Sequence, residues 1–259
     1  MTKFQVPNPL NHEPKVIYEN KNFIGIYKPA GLLVHPTHSF AMCGVHPIKK
    51  GSEEEPTLVD WLLKNYPEVK NVGDLPAGRQ VNLRPGIVHR LDKDTSGVML
   101  VPRNQEYFEY FKELFKTRQI KKTYLALVSG ELKEKEGVID KPIGIKTGSV
   151  KRSVHSEKMK KNAVTSYKVK KTFAFGGEKV SLLEVFPETG RTHQIRVHLA
   201  SIGHPILGDK LYGGKKQKEK AGRLMLHAYS IEFSLPDHAG RPGGSRVKLE
   251  SEPDDTFLL

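Results

Sequence analysis

A single cysteine, Cys43, occurs in 259 residues, which excludes an internal disulfide framework and a Cys-rich zinc site. No apolar run approaches the roughly 18 residues that a membrane-spanning helix needs. No basic amphipathic helix suited to a membrane surface stands out. Met1 to Glu19 lacks the apolar core of a secretory signal. The chain therefore reads as cytoplasmic and soluble, with no membrane association. There is no nucleotide-binding glycine loop and no His-Glu-x-x-His pattern, so neither a cofactor nor a metal is expected. Acidic residues are also short: 29 Asp and Glu face 42 Lys and Arg, a net charge of +13 and a pI near 9.6. Such an excess attracts polyanions, nucleic acid foremost, although some soluble proteins are basic without a polyanionic partner.

The stretch that organises the chain is Gly86-Ile87-Val88-His89-Arg90-Leu91-Asp92-Lys93-Asp94-Thr95-Ser96-Gly97-Val98-Met99-Leu100-Val101. An apolar entry leads into a turn carrying Arg90, Asp92, Lys93 and Asp94, and a β-prone segment, Val98 to Val101, leaves it before Pro102. A tight turn between two buried segments projects few side chains and holds them rigidly, which suits a catalytic group. By itself such a turn reads first as a charged surface bend.

Around it, Val16–Tyr18 and Phe23–Tyr27 read as strands joined by a turn at 19–22. Lys28-Pro29-Ala30-Gly31 then opens a loop carrying His35. Residues 37–55 read as irregular. Thr57 caps a helix over Leu58–Tyr66, and residues 67–85 return to loop. Asn104 caps a helix over Gln105–Thr117 whose stripe Tyr107, Phe108, Phe111, Leu114 and Phe115 is core rather than a stacking platform. In a strand from Lys122 to Val128, Thr123, Leu125 and Leu127 form the core face, so Tyr124 points the other way. Ala163–Phe173 and Lys179–Phe186 alternate like paired strands joined at Gly176-Gly177. A late strand covers Leu224–Phe233, and the acidic tail from Ser251 is expected on the surface. The Gly/Arg segments Pro76–Gln80 and Ala239–Gly243 read as surface insertions. The division expected is an extended segment over 1–15 and one domain over 16–259, of the α+β class: a mostly antiparallel mixed sheet flanked by helices.

A second chemical stretch runs from Glu188 to Gly203. Thr192 is placed to cap a helix over His193–Ile202, with Ile195, Leu199 and Ile202 on its buried side and Gly203 at the C-terminal cap. Arg191 falls beside the positive end of that helix, a place suited to a carboxylate or a phosphate. His193 and His198 are roughly 500° apart around a helix, off any shared face, and read as surface or phosphate-facing residues rather than metal ligands.

His89-Arg90-Leu91-Asp92 with Thr95-Ser96-Gly97 resembles the signature of the RluA family of pseudouridine synthases. Gly190-Arg191-Thr192-His193-Gln194-Ile195-Arg196 resembles that family's other strongly marked motif. Lys28-Pro29-x-Gly31…His35-Pro36, Lys122-x-Tyr124-x-Ala126-Leu127, Ala163-x-Thr165-x-Tyr167 and Pro205–Gly213 fit its remaining segments, in order, between residues 24 and 233. The resemblance implies a pseudouridine synthase fold and isomerisation of uridine in rRNA, large-subunit rRNA in the first place, or in a tRNA stem-loop. It implies Asp92 as nucleophile or as base at the ribose, and Arg191 as the partner keeping Asp92 anionic where burial would otherwise raise its pKa. Tyr124 is implied to stack on the flipped uracil and take the C5 proton, and Ile195 to wall the pocket. Arg90 is expected to aid extrusion, with His89, Thr95, Lys28, His35 and Lys122 also facing substrate. Backbone phosphates would meet the basic segment 141–161 and the lysines at 215–220. The small RNA-binding domain that precedes the catalytic one in longer members is expected to be missing, because the first strand begins near residue 16. A monomer without an obligate protein partner is expected. The rival readings are a non-catalytic RNA-binding protein on the same scaffold and a hydrolase with a carboxylate nucleophile.

Overall fold

The structure, a computed structural model, describes residues 13–36, 55–74, 82, 84–146, 148, 151–214, 221–237 and 240–257. Most of the N-terminal segment, Cys43 and nearly all of the 37–55 loop, Pro76–Gln80 and the lysines at 215–220 lie outside the described residues.

Strands β1 (Lys15–Glu19), β2 (Phe23–Lys28), β3 (Ser96–Pro102), β4 (Lys121–Ser129), β5 (Glu136–Asp140), β8 (Val164–Phe175), β9 (Glu178–Pro187), β10 (Leu226–Pro236) and β11 (Pro242–Glu250) form one sheet. Its order is β1-β2-β3-β10-β4-β9-β8-β5, with β11 pairing β10. A separate small hairpin joins β6 (Gly144–Ile145) to β7 (Arg152–Ser153). Every pairing in the sheet is antiparallel except β3 with β10, where Ser96 and Gly97 face His227 and Ala228. This is the mixed, mostly antiparallel α+β architecture expected. No helix among the described residues is long and apolar enough to cross a membrane.

The centre of the sheet is covered on both faces, and the two-residue period of β2 and β3 divides their side chains between the coverings. Ile24, Ile26, Met99 and Val101 pack with Leu58 and Leu62 of α1 (Leu58–Asn65). Phe23, Val98 and Leu100 pack with Phe111 and Leu114 of α2 (Gln105–Lys116). A fully buried Leu or Phe side chain contributes about 1.5–3 kcal/mol, so these contacts hold two short helices that would not persist alone. Thr57 and Asp60 form a reciprocal capping box on α1, and the Asn104 side chain accepts from Tyr107 N–H at the start of α2. A third cluster joins Leu127, Leu183 and Val185 to Ile195 and Leu199 of α3 (Gln194–Ser201).

Four local expectations change. Residues 67–85 include a 3₁₀ turn at Pro67–Asn71. Ala126, Leu127 and Val128 are all buried, so β4 has no single core face; it lies between β10 and β9 with both sides covered. Pro242 and Gly243, the end of the expected insertion Ala239–Gly243, stay exposed but begin β11, whose Leu249 faces the core cluster that holds Phe233. The acidic tail rests on the surface only in part: Glu252 and Asp255 are exposed, but Phe257 is buried, and Asp254 accepts from Tyr27 Oη and Arg223.

Gly97 makes the central parallel pairing possible. Its φ is +121°, and a Cβ there would sit 2.2 Å from the Ala228 carbonyl oxygen. Only glycine permits this approach, and it follows directly on the turn that carries Asp92.

Candidate active site

The turn from His89 to Thr95 is fastened from several sides. Lys28 on β2 is fully buried, and its Nζ donates to the carbonyls of Pro29, Leu32 and Lys93 at 2.7, 2.9 and 3.0 Å. The Lys93 carbonyl also accepts from Gly31 N–H at 2.9 Å. Burial pushes the Lys28 ammonium down to about 7, with Asp94 and Asp92 opposing the shift. Lys28 thus ties the turn to the sheet and does not line the cleft, contrary to the expectation that it faces substrate. His89 Nε2 accepts from Leu100 N–H at 2.9 Å and its ring stacks on Phe115 at 4.7 Å. Burial, reinforced by the Lys122 charge, pushes the imidazole down to about 3. It borders the cleft as a neutral strut, with Nε2 already committed to β3. His35 is buried, with Nδ1 on the Pro36 carbonyl and Nε2 accepting from Arg90 Nη1 at 3.2 Å. It orients Arg90 instead of reaching into the cleft.

A cavity of about 570 Å³ opens beside this turn, within the range of small-ligand sites. Asp92, Thr95, Lys122, Tyr124, Arg191 and Ile195 all border it. Residues from the His89–Thr95 turn, β4 and the β9–α3 junction therefore converge, although they are up to about a hundred positions apart in the chain. Thr95 is buried and its N–H donates to the Asp92 carbonyl, closing the turn. Burial, with a further contribution from Asp92, pushes the Tyr124 phenol above its ordinary value. Lys122 is also largely buried; burial first and Arg118 second push its ammonium down to about 8. Ile195 is buried and lines the cavity.

The expected Asp92–Arg191 pair is not formed. Arg191 is exposed at the rim, where its Nε donates to the Asn162 carbonyl at 3.1 Å and its backbone N–H donates to Gln194 Oε1 at 3.0 Å. Arg196 takes the place at Asp92, with Nη1 at 3.1 Å from Oδ2. Arg196 is 4% exposed, and its Nε and Nη2 grip Asp209 at 2.8 and 2.9 Å. Burial opposes its charge, but Asp209 and Asp92 outweigh that and raise its pKa above the ordinary value. Asp209 is fully buried and also accepts from the N–H groups of Leu211 and Tyr212. Burial works against its charge as well; the Arg196 fork and these backbone donors hold its carboxyl below the usual range.

The reason for the exchange lies in α3. The helix begins at Gln194, one residue later than expected, and Thr192 does not cap it. The preceding turn is held by the Gln194 side chain, which accepts from Thr189 Oγ1 and Arg191 N–H and donates to Thr165 Oγ1 and the Val164 carbonyl. That bracing leaves Arg191 outside and turns Arg196 inward. Residues 194 to 199 are all buried, so α3 has no solvent face. Arg196 between Ile195 and Val197 was the available sequence signal: a cation inside an apolar helix needs a buried partner, and Asp209 supplies it. His198, expected on the surface, is fully buried between Thr165 Oγ1 and the Lys141 carbonyl. His193 is inside too, 3.9 Å from Asp92 Oδ2.

Comparison with known proteins shows the family. A model of the RNA pseudouridylate synthase family matches residues 22–201. An uncharacterised RNA pseudouridine synthase of Aquifex aeolicus is 36% identical over 263 residues, covering 97% of this chain and 74% of that protein. Ribosomal large subunit pseudouridine synthase D of Borreliella burgdorferi is 36% identical over 228 residues, covering 88% of this chain and 63% of that protein. Among solved structures, human RNA pseudouridylate synthase domain containing 1 shares the fold, with a TM-score of 0.69 at 24% identity, over 94% of this chain and 84% of that one. From the family model and these identities, the chain belongs to the RNA pseudouridylate synthase family, a family of isomerases, as its motifs' resemblance to the RluA family implied.

Proposed function

We propose that this protein isomerises specific uridines to pseudouridine in structured RNA, with large-subunit ribosomal RNA as the first substrate class and a tRNA stem-loop as the second. The observation that carries this reading is Asp92 at the lip of a 570 Å³ cleft, paired with a buried arginine and facing Tyr124. The relatives' names point to the same reaction, and one of them names the ribosomal large subunit.

The reaction breaks the uracil N1–C1′ bond, turns the base, and joins C5 to C1′; the C5 hydrogen leaves as a proton and N1 takes one up. There is no net redox change and no co-substrate. A base inside a duplex cannot reach Asp92, so the nucleotide must be extruded into the cleft. Asp92 acts as the nucleophile, its negative charge matched by Arg196, and the same carboxylate would serve an elimination route as base at the ribose. Tyr124 stacks on the uracil. Its phenol is protonated in the free protein, so it accepts the C5 proton as its own hydroxyl proton passes to solvent. Ile195 closes the apolar wall. Arg90, steered by His35, is placed to assist extrusion. Lys122 and the rim residues Arg118 and Arg191 offer positive charge to the flanking phosphates.

The test uses ribosomal and transfer RNA from cells lacking the gene, with wild-type or Asp92→Ala protein added back. Pseudouridines are mapped by carbodiimide modification and primer extension. Stops that return only with wild type support the reading. RNA binding without any new stop would move the protein to the non-catalytic alternative.

A further inference from the structure

His193 has no part in the scheme above, yet it is among the most constrained residues of the cleft. Its backbone is left-handed, with φ 57°, a conformation costly for a residue with a Cβ and one that collects at functional sites. Its side chain is only 17% exposed. Nδ1 lies 2.9 Å from Tyr212 Oη, and that oxygen already accepts from the backbone N–H of Arg152 at 2.9 Å. With one lone pair so taken, the arrangement in which the phenol gives its proton to Nδ1 and the imidazole proton sits on Nε2 is the one that forms a relay. Nε2 faces Asp92 Oδ2 at 3.9 Å.

Tyr212 is itself fixed. Its N–H donates to Asp209 Oδ1 at 3.0 Å, and the Arg196 guanidinium lies 5.3 Å from its ring centre. Asp209 thus places both groups that approach Asp92: Arg196 directly, and His193 through Tyr212. Among the described residues, both approach the same carboxylate oxygen, Oδ2.

We propose that His193 is a positioning residue for Asp92. A relay runs from Arg152 N–H to Tyr212 O–H to His193 Nε2–H and ends on Oδ2. With Arg196 Nη1 it fixes that oxygen, so that Oδ1 is the one presented to the ribose. Hydrogen bonds of this kind are often long in a substrate-free site and tighten when substrate arrives. Burial holds the imidazole below its ordinary pKa despite the opposing Asp92 charge, so it is a neutral donor with one N–H to give. The proposal rests on Asp92 being the reacting carboxylate.

A purely architectural role makes a different forecast. If His193 merely allows the left-handed turn, glycine should serve at least as well. The full-length wild type, His193→Gly, His193→Gln, Tyr212→Phe and the His193→Gly/Tyr212→Phe double variant are compared. The probe is ribosomal and transfer RNA from cells lacking the gene, tritiated at uracil C5, and the readout is tritium released against RNA concentration.

His193→Gly should lower kcat about tenfold or more, the scale of a lost hydrogen bond to a charged group, with KM changed by less than about twofold. His193→Gln carries an amide N–H to nearly the same place and should recover part of kcat. Tyr212→Phe should cost less, and nothing further in the His193→Gly background, because both changes break one relay. Urea unfolding identifies any variant that has simply lost its fold. Wild-type kcat in His193→Gly, a loss confined to KM, or Gln performing no better than Gly overturns the relay while leaving the isomerase reading intact. No tritium release by wild type overturns the isomerase reading, and the relay with it.

Discussion

Arg196 grips Asp209 through Nε and Nη2 at 2.8 and 2.9 Å and turns Nη1 to Asp92 at 3.1 Å. The fork is aimed by a carboxylate that never meets the cleft; Asp209 is fully buried. Asp209→Ala should therefore strip a buried cation of its main partner and destabilise the fold by about 3–5 kcal/mol. Asp209→Asn, which keeps the shape and one acceptor, should cost less. Urea unfolding of the two variants checks the order; equal stability of wild type and Asp209→Ala would refute it.

Lys28 gives a pH-dependent prediction. Its folded-state pKa, about 7 against 10.5 for the free group, means that between those values the unfolded chain binds more protons than the folded one. Stability contributed at this site must then rise with pH from about 7 to 10.5. Measured as unfolding free energy, wild type minus Lys28→Met should increase between pH 7 and pH 9.5. A difference flat in pH would show that the ammonium is not desolvated.

His89 and His227 predict the behaviour on the acid side. Burial pushes them down to about 3 and about 4 respectively from an ordinary 6.5. Both stay neutral in the fold while the unfolded chain takes up protons, so stability should fall as pH drops from 6.5 towards 4. His89→Gln, whose amide oxygen can still accept from Leu100 N–H, should remove about one proton from that slope. An unchanged slope in the variant would count against a buried neutral His89.

Gly97→Ala places a methyl group 2.2 Å from the Ala228 carbonyl oxygen at a φ of +121°. Parting β3 from β10, or straining the turn ahead of them, should cost at least about 3 kcal/mol. The expected result is a poorly folded protein by circular dichroism and a depressed unfolding midpoint. A midpoint matching wild type would mean that the central pairing is looser than this register.

Tyr124 separates stacking from proton removal. Tyr124→Phe keeps the ring and loses the hydroxyl, so RNA binding should persist while conversion falls at least about a hundredfold. Tyr124→Ala should weaken both. Full conversion by the Phe variant would restrict Tyr124 to stacking.

The amino-acid sequence alone determined much of this protein. Local signals sufficed where one interaction sets the outcome: the caps Thr57 and Asn104 mark the helix starts, and Gly176-Gly177, both at positive φ, turn β8 into β9. The apolar runs marked β2 and β3, and the motif around Asp92 marked the cleft. Tertiary structure alone decided what each polar group touches. Arg191 and Arg196 lie five positions apart; the apolar neighbours of Arg196 signal burial, but the partner that receives it is local to neither, and its inward turn is fixed by Gln194 bracing its turn against β8 and by a distant Asp209. Lys28 and His89 carry motif positions that suggest substrate, yet Lys28 Nζ and His89 Nε2 are taken up by backbone groups brought near by folding. The tail from Ser251 is acidic by composition and still supplies Phe257 to the core. Periodicity and caps are short-range properties of a chain, whereas the partner of a buried charge depends on where elements far apart in sequence come to rest.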